Sequence, residues 1–146
     1  MKKIIGLLLI SLISSTAILA QQSEIFTING KAIRGYDVVA FFTASKPVKG
    51  EEQFSHVWKN TTWLFSSLEN QELFKSNPEK YAPQYGGYCA FGMSGGYKAP
   101  TIIETWKIID QKLYFNYSLK VQDMWNKDIS GHIIKADYNW QKIKNQ

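Results

Sequence analysis

Residues 81–96, Tyr-Ala-Pro-Gln-Tyr-Gly-Gly-Tyr-Cys-Ala-Phe-Gly-Met-Ser-Gly-Gly, constrain the fold of this chain more than any other stretch. They hold five of its ten glycines and its only cysteine, Cys89. Glycine at this density disfavours a long helix or strand and suits backbone that passes close to other backbone or to a ligand. The segment is therefore expected as a loop, and a lone thiol inside it points to this place as the candidate site.

The flanks read as short elements. Asn29-Gly30, between Phe26-Thr27-Ile28 and Lys31-Ala32-Ile33, has the residues a two-residue type I′ hairpin turn requires. Lys59-Asn60 and Asp110-Gln111 sit between alternating runs in the same way. The first of these pairings places His56 opposite Trp63, Trp58 opposite Thr61 and Phe54 opposite Phe65, which makes one face of the ribbon aromatic. The second puts Trp106, Ile108, Leu113 and Phe115 on one face and Lys107, Ile109, Lys112 and Tyr114 on the other, the pattern of a half-buried pair.

Gly35 to Phe42 suits a strand or a short helix. Ser66 to Glu69 has the spacing of a capping box that opens a helix over 67–76. Asn77-Pro78 caps a further turn, which Pro83 ends, and Ser118 caps a helix to about Lys127. Ile129, Ile133, Ala136 and Trp140 form an apolar stripe along a last helix. The expected fold is thus α+β: one compact domain of short antiparallel hairpins with short helices.

Lys2 and Lys3, an apolar run from Ile4 to Ile13 and small residues to Ala20 describe an export signal cleaved near Ala20. This leaves residues 21–146 as the domain, with a periplasmic or secreted location and no stable membrane insertion after cleavage. The formal charge of +5 is spread over scattered lysines rather than gathered in a run, which argues against a nucleic-acid partner. One cysteine cannot form an internal disulfide, and an exported chain favours a buried or ligated thiol over an exposed one.

The runs Gly-Tyr-Asp-Val-Val-Ala-Phe-Phe (35–42), Phe-Ser-Ser-Leu-Glu-Asn (65–70) and Asn-Pro-Glu-Lys-Tyr-Ala-Pro-Gln-Tyr-Gly-Gly-Tyr-Cys-Ala (77–90) resemble the YHS-domain family in its exported bacterial form. The likeness continues through Trp106, Asp110, Lys112-Leu113-Tyr114, Asn116 and Trp125. It implies a hairpin-plus-helix unit related to treble-clef-like metal-binding modules, a group associated with copper and other heavy metals. The metal-binding relatives use several cysteines where this chain has Cys89 alone, so a closed Cys-rich zinc site cannot form within one chain.

The candidate metal ligands are Cys89, His56, Met93 and His132. Thiolate, thioether and imidazole together suit copper, above all Cu(I), and neutral imidazole is the ligating form. Each also has a plainer reading: Cys89 as a small buried hydrophobe, Met93 as core filler, His56 stacked in the aromatic face, His132 packing beside the apolar stripe. Asp37 suits either a ligand or an acid–base role, or a cap on the segment after it. Three functions stay open. One is a non-enzymatic binding protein for a transition metal, copper first. The second is a thiol enzyme with Cys89 as nucleophile and His56 as base. The third is a structural or small-ligand module whose aromatic face closes on an apolar ligand. The sequence does not fix the oligomeric state.

Overall fold

The structure, a computed structural model, describes residues 22–146; the export signal expected over 1–20 lies outside them. Its strands are β1 (Thr27–Ile28), β2 (Lys31–Ala32), β3 (Glu51–Trp58), β4 (Thr61–Phe65), β5 (Lys107–Ile109) and β6 (Lys112–Tyr114). Its α-helices are α1 (Ala40–Thr43), α2 (Leu68–Ser76), α3 (Pro78–Tyr81), α4 (Ala90–Ser94), α5 (Leu119–Asn126) and α6 (Ile129–Ile143). The first four strands form a sheet in the order β1-β2-β4-β3, in which only β2 and β4 run parallel, and β5-β6 is a separate antiparallel ribbon. The α+β class expected from the sequence is what forms.

All three hairpins turn where the sequence places them. Both residues of each turn have positive φ: Asn29 51° and Gly30 74°, Lys59 50° and Asn60 55°, Asp110 49° and Gln111 60°. His56 pairs with Trp63 and Trp58 with Thr61, but Phe65 pairs with Glu51 rather than Phe54. A bulge between Glu51 and Ser55 shifts the register, and the Gln71 side chain of α2 donates to the Ser55 carbonyl there at 2.6 Å. The aromatic face survives because α2 covers it. Phe74 is centred 5.0 Å from both Trp63 and Phe65, and the Trp58 ring meets it edge-on at 5.7 Å.

The β5-β6 ribbon corrects a second expectation. Rather than one buried and one solvated face, it has cover on both. Leu113, Phe115, Trp106 and Ile108 join the cluster around Phe41, Phe65 and Phe74. Tyr114 and Ile109 face a second cluster of Tyr85, Tyr88, Met93, Trp125 and the α6 stripe, with Ala136 fully buried. The ribbon is therefore the partition between two cores.

Helix starts follow their caps. Asn77, Ser118 and Asp128 each accept the backbone N–H three residues on, at the heads of α3, α5 and α6. The capping box at α2 falls one residue later than its spacing suggests: Ser67, not Ser66, accepts from Asn70 N–H at 3.1 Å. Ser66 is engaged elsewhere, by Asp37. Gly35 to Phe42 is not a strand; Tyr36 makes one bridge to Lys49, and the chain then enters α1.

Asp37 resolves to a structural role. Its fully buried carboxylate accepts five hydrogen bonds, from Val39 and Ala40 N–H on Oδ1 and from Ser66 N–H, Ser66 hydroxyl and Asn70 amide on Oδ2. It caps α1 and ties it to the start of α2. Lys98 performs a comparable service where the stretch around Gln22 meets the residues that follow α6. Its ammonium lies 3.0–3.2 Å from four backbone oxygens, of Gln22, Ser23, Lys144 and Gln146, among which its three N–H groups are shared.

Candidate functional site

The glycine-rich segment, expected as a loop, is a left-handed turn followed directly by the short helix α4. Tyr85, Gly86 and Gly87 are three consecutive left-handed residues, at φ 56°, 62° and 86°. Gly86 is required by proximity as well as by conformation: a Cβ there would lie 1.9 Å from the Glu24 carbonyl oxygen, and the Gly86 carbonyl accepts Phe26 N–H at 2.9 Å. Tyr85 has no such exemption and is held in a strained conformation by its surroundings. Its hydroxyl donates to Asp137 of α6 at 2.9 Å, and its ring packs on Tyr114 and Trp140. Burial, then the hydrogen bond to Asp137 and its charge, push the Tyr85 phenol far above its ordinary range. Burial raises the Tyr88 phenol as well, and its hydroxyl donates to the Ser23 carbonyl at 2.8 Å.

Cys89 follows at the head of α4, clamped between two stretches of chain. Its N–H donates to the Ala99 carbonyl, and the next residue, Ala90, donates to the Phe115 carbonyl. The sulfur accepts N–H groups from Gly92 at 3.4 Å and Tyr117 at 3.3 Å, and lies 3.6 Å from Asn116 Oδ1. Asn116 is itself fully buried. Its Oδ1 also accepts Phe91 N–H at 3.1 Å, which fixes the orientation of the amide, and its Nδ2 has no acceptor among the described residues.

Cys89 is only 1 % exposed, yet it belongs to the lining of a pocket of about 270 Å³. The remaining wall is Phe91, Gly92, Tyr97, Ala99, Tyr117 and Val121. Tyr97 and Tyr117 stand more than half exposed at its edge. Gly92 keeps the wall open: a Cβ on it would press to 3.1 Å from the Tyr97 ring. The pocket thus pairs one soft sulfur with aromatic and aliphatic surface and no charged side chain.

The four candidate ligands do not share this pocket. His56, half-buried on β3, packs edge-on to Phe74 at 6.3 Å, in the cluster beneath α2. Met93 lies one helical turn beyond Cys89 and points into the second core, fully buried. His132 stacks edge-on against Phe91 at 5.0 Å, with Nδ1 3.1 Å from the Ser94 hydroxyl. Phe91 is the wall between that imidazole and the thiol pocket. Among the described residues no group of three or more His, Cys, Asp and Glu is gathered as a metal site would need. Nor does His56 bond the sulfur, whose partners are Gly92, Asn116 and Tyr117.

Tyr97, Ala99, Tyr117 and Val121 form most of the pocket wall, and nothing in the sequence singles them out. They are ordinary surface residue types, gathered from segments on both sides of β5-β6. Only the glycine at position 92, within the dense glycine run, hints that something passes close to α4. No family model, curated protein or solved structure matches the chain.

Proposed function

We propose that this chain is an exported, non-enzymatic binding protein of the YHS type, with its ligand site in the apolar pocket floored by Cys89. One observation carries the reading: a buried cysteine, in a chain that has no other, lies against a pocket rather than in filled core. Of the ligand classes open to such a chain, a small apolar molecule suits the lining best. Aromatic and aliphatic walls exclude water, and the sulfur supplies a polarizable contact at the floor. An ion-carrying version keeps Cys89 and takes Cu(I) as cargo. It needs further donors beside the sulfur, and His56, His132 and Met93, as placed, offer none to this pocket. A nucleophilic version needs a base in hydrogen-bond reach of the thiol, and His56 is engaged with Phe74.

The test is a titration of the purified protein with p-xylene, read by NMR shifts of the Ala99 and Val121 methyl groups, beside a Cu(I) competition titration. Saturable p-xylene binding, weakened about tenfold or more by Ala99→Leu, is the expected result. Absence of p-xylene binding together with Cu(I) affinity that disappears in Cys89→Ala would replace the apolar ligand by the ion. Neither response would end the proposal.

A further inference from the structure

A second cavity, sharing no residue with the Cys89 pocket, is built around the turn Ile33-Arg34-Gly35. Its volume is about 520 Å³, and its wall includes Lys31, Arg34, Tyr36, Lys49, Ile102 and Ile103. The turn is an unusual piece of backbone. All three residues have positive φ, at 47°, 57° and 76°, and a β-branched residue such as Ile33 adopts this conformation only under constraint. Part of the constraint is the burial of the Ile33 side chain against Gly87. The other consequence is the placement of Arg34 at the cavity.

Arg34 is oriented but not neutralised. Its Nε and Nη2 both donate to the backbone carbonyl of Thr101, at 3.1 and 2.9 Å, which fixes the guanidinium plane without a counter-charge and leaves Nη1 outside that fork. Lys49 sits 4.1 Å from the centre of the Tyr36 ring, and the Tyr36–Lys49 bridge fixes the two backbones side by side. Lys31 is neutralised by Glu52. Against the two remaining cations the wall brings one carboxylate, the exposed Glu104. Ile102 and Ile103 complete an apolar side.

From a guanidinium held by the Thr101 carbonyl and the Phe26 ring, with no carboxylate bonded to it among the described residues, a second cation over an aromatic ring and an aliphatic wall, the geometry points to a binding site for a small organic carboxylate with an apolar body. The carboxylate lies on Arg34 and Lys49, where a planar guanidinium matches its two oxygens. The body lies on Tyr36 and the isoleucine pair. Inorganic phosphate shares the charge but not the body, so the comparison of probes separates the two requirements.

The experiment titrates the full protein with octanoate, benzoate and inorganic phosphate in parallel by calorimetry and NMR. Octanoate or benzoate is expected to bind saturably and phosphate at least about tenfold more weakly. Arg34→Gln should weaken the carboxylate about tenfold and Lys49→Gln several-fold, the latter at an exposed side chain whose loss leaves the fold intact. Ala99→Leu, in the other pocket, should leave carboxylate affinity unchanged, so the two sites succeed or fail independently. Equal affinity for phosphate, carboxylate binding unaffected by Lys49→Gln, or no saturable binding of either carboxylate overturns the assignment.

Discussion

The carboxylate of Asp37 accepts five hydrogen bonds, which cap α1 and fasten it to the start of α2. Its partners Ser66 and Asn70 lie 29 and 33 residues away, a distance at which no local pattern announces them. The same network turns the Ser66 hydroxyl towards Asp37, and the extended residue after it, Ser67, supplies the cap at α2. Asp37→Asn turns an acceptor into a donor in front of the Ser66 N–H. It should cost about 3 kcal/mol of folding stability, measured by urea unfolding; a loss below about 1 kcal/mol would mean the network is incidental. Gly86→Ala should cost about 2 kcal/mol or more, because φ and the Glu24 carbonyl both oppose a side chain.

Elements were legible where they are punctuated locally. The three turns, the caps at Asn77 and Ser118 and the α6 stripe are all carried by residues within a few positions of one another. The bulge in β3 was not, because it is stabilised from outside the strand, by Gln71 of α2. The Cys89 pocket was only half visible for a similar reason: its floor lies in the glycine-rich run, but its walls come from segments that meet only in the fold. The type I′ turns also differ in fitness. Asn29-Gly30 suits positive φ, whereas Gln111, exposed at φ 60°, carries a Cβ through a region that disfavours it. Gln111→Gly should therefore stabilise the protein by about 0.5–1 kcal/mol, seen as a higher melting temperature. No gain would show that this turn bears no strain.

On the scale of the whole molecule, the β5-β6 ribbon divides two cores, and one of them holds its phenols away from water. Burial, aided by the charges of Asp137 and Asp110, pushes Tyr114 up to about 12, and Tyr85 is raised further by burial and its bond to Asp137. Both groups favour the protonated form when folded. Their contribution to stability is thus complete below about pH 10, the unfolded value, and is lost as pH climbs from there through the folded values. Burial raises Tyr88 in the same sense, while Lys98, lowered by burial, and the exposed Tyr138, lowered by Lys142, act in the opposite one. Stability should fall above about pH 10, with the fall reduced in Tyr85→Phe and Tyr114→Phe. Absorbance titration at alkaline pH, followed together with circular dichroism, checks this. Reversible ionisation of every tyrosine near pH 10 with the fold unchanged would contradict it.

The cluster of backbone oxygens around Lys98 has a topological corollary. Oxygens of Gln22 and Lys144 that both bond a single nitrogen can be no more than about 6 Å apart, a gap two or three residues bridge. Residues 22–146 could accordingly be sewn into a ring by a short linker and reopened in the exposed stretch near Ser45. The rearranged polypeptide would keep both cores, while the stretch joining residue 146 to residue 22 became an ordinary surface loop.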